Sequence, residues 1–202
     1  MYIQIKKLEY YICLFLYALK NKKISKYTLF RYVYIYDVVC DYLGNSEKIN
    51  EIFIVDKDLG MNNVLELTEA LNEINTRDYI DINASFEIYV KEELINYVDS
   101  TYRSSSKMNE DLNRILYFTE IISSYSEDVI LAVFFSEPNV KDAISRGKKS
   151  INLSNNKLQE LLLEFENVAI NKFKNKLDKY DVFTSWLDYV FQSYLKGKSD
   201  GK

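Results

Sequence analysis

One proline and five glycines in 202 residues leave this chain with almost no punctuation. These two residues most often end regular structure, so their scarcity favours helices joined by short connections. Apolar spacing agrees. Leu8, Tyr11, Ile12, Phe15 and Leu19 recur on one helical face and predict a first helix over residues 6–21. Ser25 suits the N-cap of a second helix that reaches Leu43, with Gly44 and Asn45 as its stop signal.

The second helix carries two apolar stripes. One is Leu29, Val33, Tyr36, Cys40 and Leu43; the other is Tyr27, Phe30, Tyr34 and Val38. A helix that is apolar on two sides either lies central in a core or needs a partner. Tyrosine and arginine concentrate binding energy at interfaces. If the helix is not central, its candidate partner-binding face is therefore Tyr27, Arg31, Tyr34 and Val38.

Further along, residues 52–55 (IFIV) read as a short strand. Residues 62–76 read as an amphipathic helix with Val64, Leu67, Leu71 and Ile74 as its core stripe. A hairpin over 79–90 follows. Ile80 and Ile82 alternate on one strand, Phe86, Ile88 and Val90 on the other, and Asn83, Ala84 and Ser85 make the turn. Residues 91–102 return to a helical pattern. The polar run 103–109 (RSSSKMN) is the best linker, which predicts regions of 1–103 and 104–202.

Beyond the linker the pattern is helical. Leu112, Ile115, Leu116, Thr119 and Ile122 form one stripe, and residues 129–135 are an apolar segment that fits a helix or a buried strand. Pro138 suits a helix start and Gly147 a helix end. Ser154 is placed as the cap of a long helix with Leu158, Leu161, Leu162, Phe165, Val168 and Ala169 inward. A last helix buries Phe183, Trp186, Leu187, Val190 and Tyr194, and the residues after Leu195 are expected to fray. The fold class is mainly α with a small β-hairpin, α+β. A winged-helix-like N-terminal region precedes a helical C-terminal region.

Charge narrows the function. The net charge is −4, but residues 1–45 hold seven basic and three acidic groups, 46–103 five and thirteen, and 104–202 fourteen of each. Lys20, Lys22, Lys23 and Lys26 cluster at the first helix–helix turn, interleaved with tyrosines, and are the candidate nucleic-acid contacts. Lys172, Lys174, Lys176 and Lys179 form a second cluster. The helix that precedes the wing carries Glu66, Glu69 and Glu73 and no Lys or Arg. A helix entering a major groove lies among phosphates and needs positive charge nearby, so this one points to protein recognition. Some twenty residues separate Leu43 from it, whereas a compact helix-turn-helix uses ~3–4.

Chemistry has little to work with. The chain has no histidine, which removes Ser-His-Asp, Cys-His and common zinc-hydrolase arrangements. It has no glycine-rich phosphate loop. Asp37 and Asp41 lie one turn apart, Glu127 and Asp128 suit a helix N-terminus, and Glu164 and Glu166 do not share a helix face. No catalytic residue, cofactor or metal is expected. Cys13 and Cys40 sit in apolar helical patterns as buried free thiols, which suits a reducing compartment. The apolar run 10–19 is half the ~20 residues of a membrane helix, so a cytoplasmic location is expected.

Four segments carry a resemblance: 14–38 (LFLYALKNKKISKYTLFRYVYIYDV), 67–90 (LTEALNEINTRDYIDINASFEIYV), 125–144 (YSEDVILAVFFSEPNVKDAI) and 181–191 (DVFTSWLDYVF). Together, in this order, they resemble the middle component of bacterial three-component ABC systems, including Lamassu-like anti-phage defence. The resemblance implies a non-enzymatic, kleisin-like accessory subunit that docks an SMC/Rad50-like ATPase and an effector protein, commonly a nuclease. Any contact with DNA is expected only through the complex. The alternative is a winged-helix transcriptional regulator that binds DNA through the basic N-terminal end.

Overall fold

The computed structural model describes residues 2–44, 48–50, 52–173 and 177–200, with side chains over the same ranges apart from 2–5, 172–173 and 198–200. In chain order the elements are α1 (Tyr2–Ala18), β1 (Ile24–Ser25), α2 (Lys26–Val39), β2 (Ile52–Asp56), β3 (Met61–Asn62) and α3 (Val64–Thr76). There follow β4 (Ile80–Ile82), β5 (Glu87–Val90), α4 (Glu92–Tyr97) with a π-turn over Val98–Tyr102, and α5 (Ser106–Ile122). The chain continues through α6 (Glu127–Ser136), α7 (Pro138–Ser145), β6 (Ser150–Asn152), α8 (Lys157–Phe173) and α9 (Lys179–Asp200). The protein is thus mainly helical with small antiparallel sheets. The expected hairpin is present, and the structure adds three strands that the sequence pattern did not announce: β1, which pairs with the hairpin, and β3 and β6, which belong to a second sheet.

These elements form two compact units. One takes residues up to 33 together with 63–124; the other takes 34–62 together with 125 onward. The expected boundary at 103/104 falls inside the first unit. The segment read as a linker is in fact the entry to α5, which begins at Ser106.

In the first unit α1 packs on α3 and α5. Leu8, Ile12, Phe15 and Leu19 are buried as expected, but so are Cys13, Leu14, Leu16 and Tyr17 on the other sides. A helix apolar all round belongs inside a core, which is where α1 lies. The apolar run 10–19 is therefore core, and no described helix is long and apolar enough to cross a membrane. Phenol groups pin α1 to its neighbours. Tyr10 donates to Asp111 at 3.0 Å and Tyr17 to Asp99 at 2.7 Å. Ser25 caps α2 as the sequence predicts, its Oγ accepting from the Thr28 amide at 3.2 Å. The sheet order is β1-β5-β4, with Ile24 opposite Ile88 and Ile82 opposite Ile88 on its other side.

The second unit is built on the second half of α2. Tyr34 lies edge-on to Phe53 and Phe134 at 5.0 and 5.6 Å. Asp37, fully buried, accepts from the backbone amides of Ile49 and Asn50, the latter at 3.0 Å, and so fixes the chain leading into β2. β2 is the middle strand of the sheet β3-β2-β6. Gly60, at φ 61°, lets the turn after β2 close against α6: an added Cβ would sit 2.7 Å from Leu131. Residues 129–135 take the helical option. Pro138 opens α7 at its first turn, and Gly147 ends it at φ 63°, with the Lys148 amide donating to Ala143 at 2.8 Å.

Three expectations for the C-terminal helices need correction. Asn156, not Ser154, caps α8, accepting from the Gln159 amide at 3.2 Å. Leu158 and Leu162 are buried, but Phe165 and Val168 are exposed by 53% and 63%. α9 runs past Leu195 and is helical to Asp200. Phe183, Trp186, Leu187 and Val190 are buried as expected.

Candidate protein-interaction surface

The face assigned to a partner from sequence is largely core. In the first unit Tyr27 is half-buried, edge-on to Phe86 at 5.5 Å, and Arg31 is buried. In the second unit Tyr34 and Val38 are fully buried. The Tyr34 hydroxyl donates to Glu137 Oε2 at 2.6 Å, and the Val38 carbonyl accepts from the Asn156 side-chain amide. Of the two readings of this helix, the central-core one describes these side chains. A side chain filling its own core cannot also present a docking face, so the assignment of Arg31, Tyr34 and Val38 is withdrawn.

Tyr34 enters a buried polar network. Glu137 caps α7 by accepting from the amides of Asn139 and Val140 at 3.0 and 2.9 Å, and from the Asn139 side chain at 2.6 Å. Asn139 donates in turn to Asn156 at 3.0 Å. Burial pushes the Glu137 carboxyl above its ordinary range, while the bonds donated by Tyr34, Asn139 and Val140 pull it back. Burial and the Glu137 charge together raise the Tyr34 hydroxyl. Every member has a partner, so the network specifies packing.

The lysines of the first helix–helix turn are partly committed. Lys20 lies over the Tyr17 ring at 4.2 Å, and Lys26 over Phe86 at 4.3 Å. Lys22 donates to Ser123, and Lys23 is exposed beside the Glu87 carboxylate. Lys22 and Lys23 are exposed, whereas Lys20 and Lys26 are half-buried. Of the second lysine cluster, Lys174 and Lys176 lie outside the described residues, as does the side chain of Lys172. Lys179 lies over the Tyr42 ring at 5.1 Å. The paired carboxylates also separate: Asp37 is buried on backbone amides, whereas Asp41 pairs with Lys48 at 2.8 Å.

Two surfaces stand out. The first belongs to α3 and the hairpin after it. Leu67, Ala70, Leu71 and Ile74 of α3 face inward, and Leu65, Glu69, Asn72 and Glu73 face solvent, Leu65 by 76%. The hairpin adds Asp81 and Glu87. Hydrogen bonds from Asn83 and Tyr89 hold the Glu87 carboxyl below its usual range. Asp78 and Asp81 hold Lys91, the latter at 2.8 Å, and Lys23 and Lys26 adjoin the hairpin at Glu87 and Phe86. The outer face of α3 is acidic around the exposed Leu65, and the hairpin adds the partly exposed rings of Phe86 and Tyr89.

The second surface lies wholly in the second unit. A cleft of about 380 Å³ runs beside β6, lined by Asn139, Asp142, Lys148, Ser150, Asn152 and Lys157 among others. Asp142 accepts from Arg146 at 2.8 Å and from Lys157 at 2.7 Å, and the Lys157 bond holds its carboxyl below the ordinary range. Sequence reading missed this site. Its signal was present in the run RGKKSIN (146–152), but the strand inside it is three residues long and too short to show a period.

Compared with family models, curated proteins and solved structures, the chain finds no match.

Proposed function

We propose that the chain is a non-enzymatic adaptor whose first unit is a winged-helix-like docking module for a positively charged protein surface. The observation that carries this reading is the acidic exposed face of α3. The order α1, β1, α2, α3, β4, β5, with β5 central in its sheet, supports the winged-helix-like reading, although a long insertion separates α2 from α3. In that reading α3 is the recognition helix and β4–β5 the wing. Here both present carboxylates. A duplex would be repelled, whereas a basic protein patch gains complementary charge and can seat Leu65.

The resemblance carried by residues 14–38, 67–90, 125–144 and 181–191 supplies the partners. They are an SMC-like ATPase and an effector protein of nuclease type, within an anti-phage or anti-plasmid defence complex in the cytoplasm. The subunit acts there in the manner of a kleisin, and DNA is met through the complex.

The test is co-purification with the products of neighbouring genes at moderate salt. Recovery of a large coiled-coil ATPase is expected, together with its loss from the Glu69→Lys/Glu73→Lys protein at unchanged melting temperature. Tight binding of duplex DNA by the chain alone, weakening steeply with salt, would overturn the reading in favour of a transcriptional regulator. So would an ATPase complex indifferent to the charge reversal.

A further inference from the structure

Among the described residues β6 pairs with β2 on one side and with no strand on the other. It pairs antiparallel with β2, Phe53 opposite Ile151, and the Val55 amide donates to the Lys149 carbonyl at 2.9 Å. Hydrogen-bonded pairs recur at every second residue of an antiparallel ladder. Val55 and Lys149 form such a pair, so Phe53 and Ile151 form the next. The amide and carbonyl of Ile151 therefore point at β2, and those of Ser150 and Asn152 point the other way. Both residues are exposed, and both line the cleft.

The cleft has the size, the floor and the charge of a peptide groove. Its volume of about 380 Å³ is within the range of ligand sites. Ala143 and Ile151, both buried, give it an apolar floor. From Pro138 to Lys157 the chain carries five basic residues and one acidic one, against a net charge of −4 overall. That one acid, Asp142, is held by Arg146 and Lys157. Lys148 and Lys149, both exposed, precede the strand. Lysines at a sheet edge keep uncharged and basic strands from adding to it. An acidic strand meets no such barrier.

We propose that the free edge of β6 and the cleft beside it bind an extended, acidic segment of a partner protein, added to the β3-β2-β6 sheet as a further strand. Main-chain bonds to Ser150 and Asn152 would hold the segment. Its acidic side chains would meet Lys148, which lines the cleft, with Lys149 adding positive charge nearby, and an alternate small apolar side chain would enter over Ala143 and Ile151. This inference does not rest on the role proposed for α3, because it uses other residues in the other unit.

The experiment is a titration of the full chain, isotope-labelled for NMR, with a synthetic octapeptide of alternating Glu and Val. Saturable shifts at the Ser150 and Asn152 amides are expected, with slowed hydrogen exchange at both. The Lys148→Glu/Lys149→Glu protein should bind about tenfold more weakly or worse. Ser150→Pro, which removes an outward N–H and leaves the β2 ladder intact, should abolish binding. A peptide N-methylated at alternate residues should fail as well. No shifts at millimolar peptide would overturn the proposal. So would equal shifts with free glutamate or inorganic phosphate, which would make the cleft an anion site only, or equal binding by the N-methylated peptide.

Discussion

Tyr34 illustrates how a polar aromatic can mislead a reading by composition. A chain with 18 tyrosines looks built for interfaces. Here Tyr11, Tyr34, Tyr36 and Tyr42 are among the largest fully buried side chains. Tyr34 buries its ring between Phe53 and Phe134 and its hydroxyl on Glu137. Tyr34→Phe keeps the ring and removes one donor from a buried carboxylate. It should destabilise by about 1–3 kcal/mol in urea unfolding, the penalty of an under-satisfied buried group. The two thiols give a pH prediction. Burial pushes Cys13 up to about 12 and raises Cys40 as well. The unfolded chain therefore loses these protons first, above about pH 9, and folding stability falls as pH rises from there. The slope of stability against pH above about pH 9 should be shallower in the Cys13→Ala/Cys40→Ala protein. Neither thiol should react with a disulfide reagent at neutral pH until denaturant is added.

Individual helices were legible where the burial they need is local. The stripes of α3, α5 and α9 fall inward where spacing predicts except that Val64, Leu116 and Tyr194 are only half-buried, and the caps Ser25, Pro138 and Gly147 stand where their side chains or backbone freedom require. α8 was only half legible. Its apolar residues are spread around the helix, and periodicity cannot choose which of several apolar flanks meets a neighbour. Leu158 and Leu162 went in; Phe165 and Val168 stayed out. The cap was misplaced for a related reason. Ser154 and Asn156 are both good N-caps, and what selects Asn156 is its bond to the Val38 carbonyl, far away in sequence. Asn156→Ala removes the cap, that bond and the acceptor for Asn139. A loss of about 2–4 kcal/mol is expected, read as a lowered urea midpoint at unchanged slope.

The division of the whole chain into two units crosses its sequence three times. A fragment of residues 104–202 lacks β2, which pairs with β6, and Tyr34, which binds Glu137. A fragment of residues 1–103 lacks α5, whose Phe118 packs edge-on to Phe15 at 6.1 Å. Neither should melt cooperatively alone, as measured by circular dichroism, although the polar run at 103–109 invites cutting there. By itself the sequence determined the helix-rich class, most helix positions, the hairpin, the acidic face of α3 and the buried thiols. Each of these follows from interactions a few residues apart, through propensity, period and capping. Only the tertiary structure decided that α2 is core on both sides, that β6 completes a sheet with a strand some hundred residues earlier, and that Lys148 and Lys157 share a cleft. Those outcomes depend on which distant apolar and polar groups satisfy one another, and a single chain's local pattern does not contain that choice.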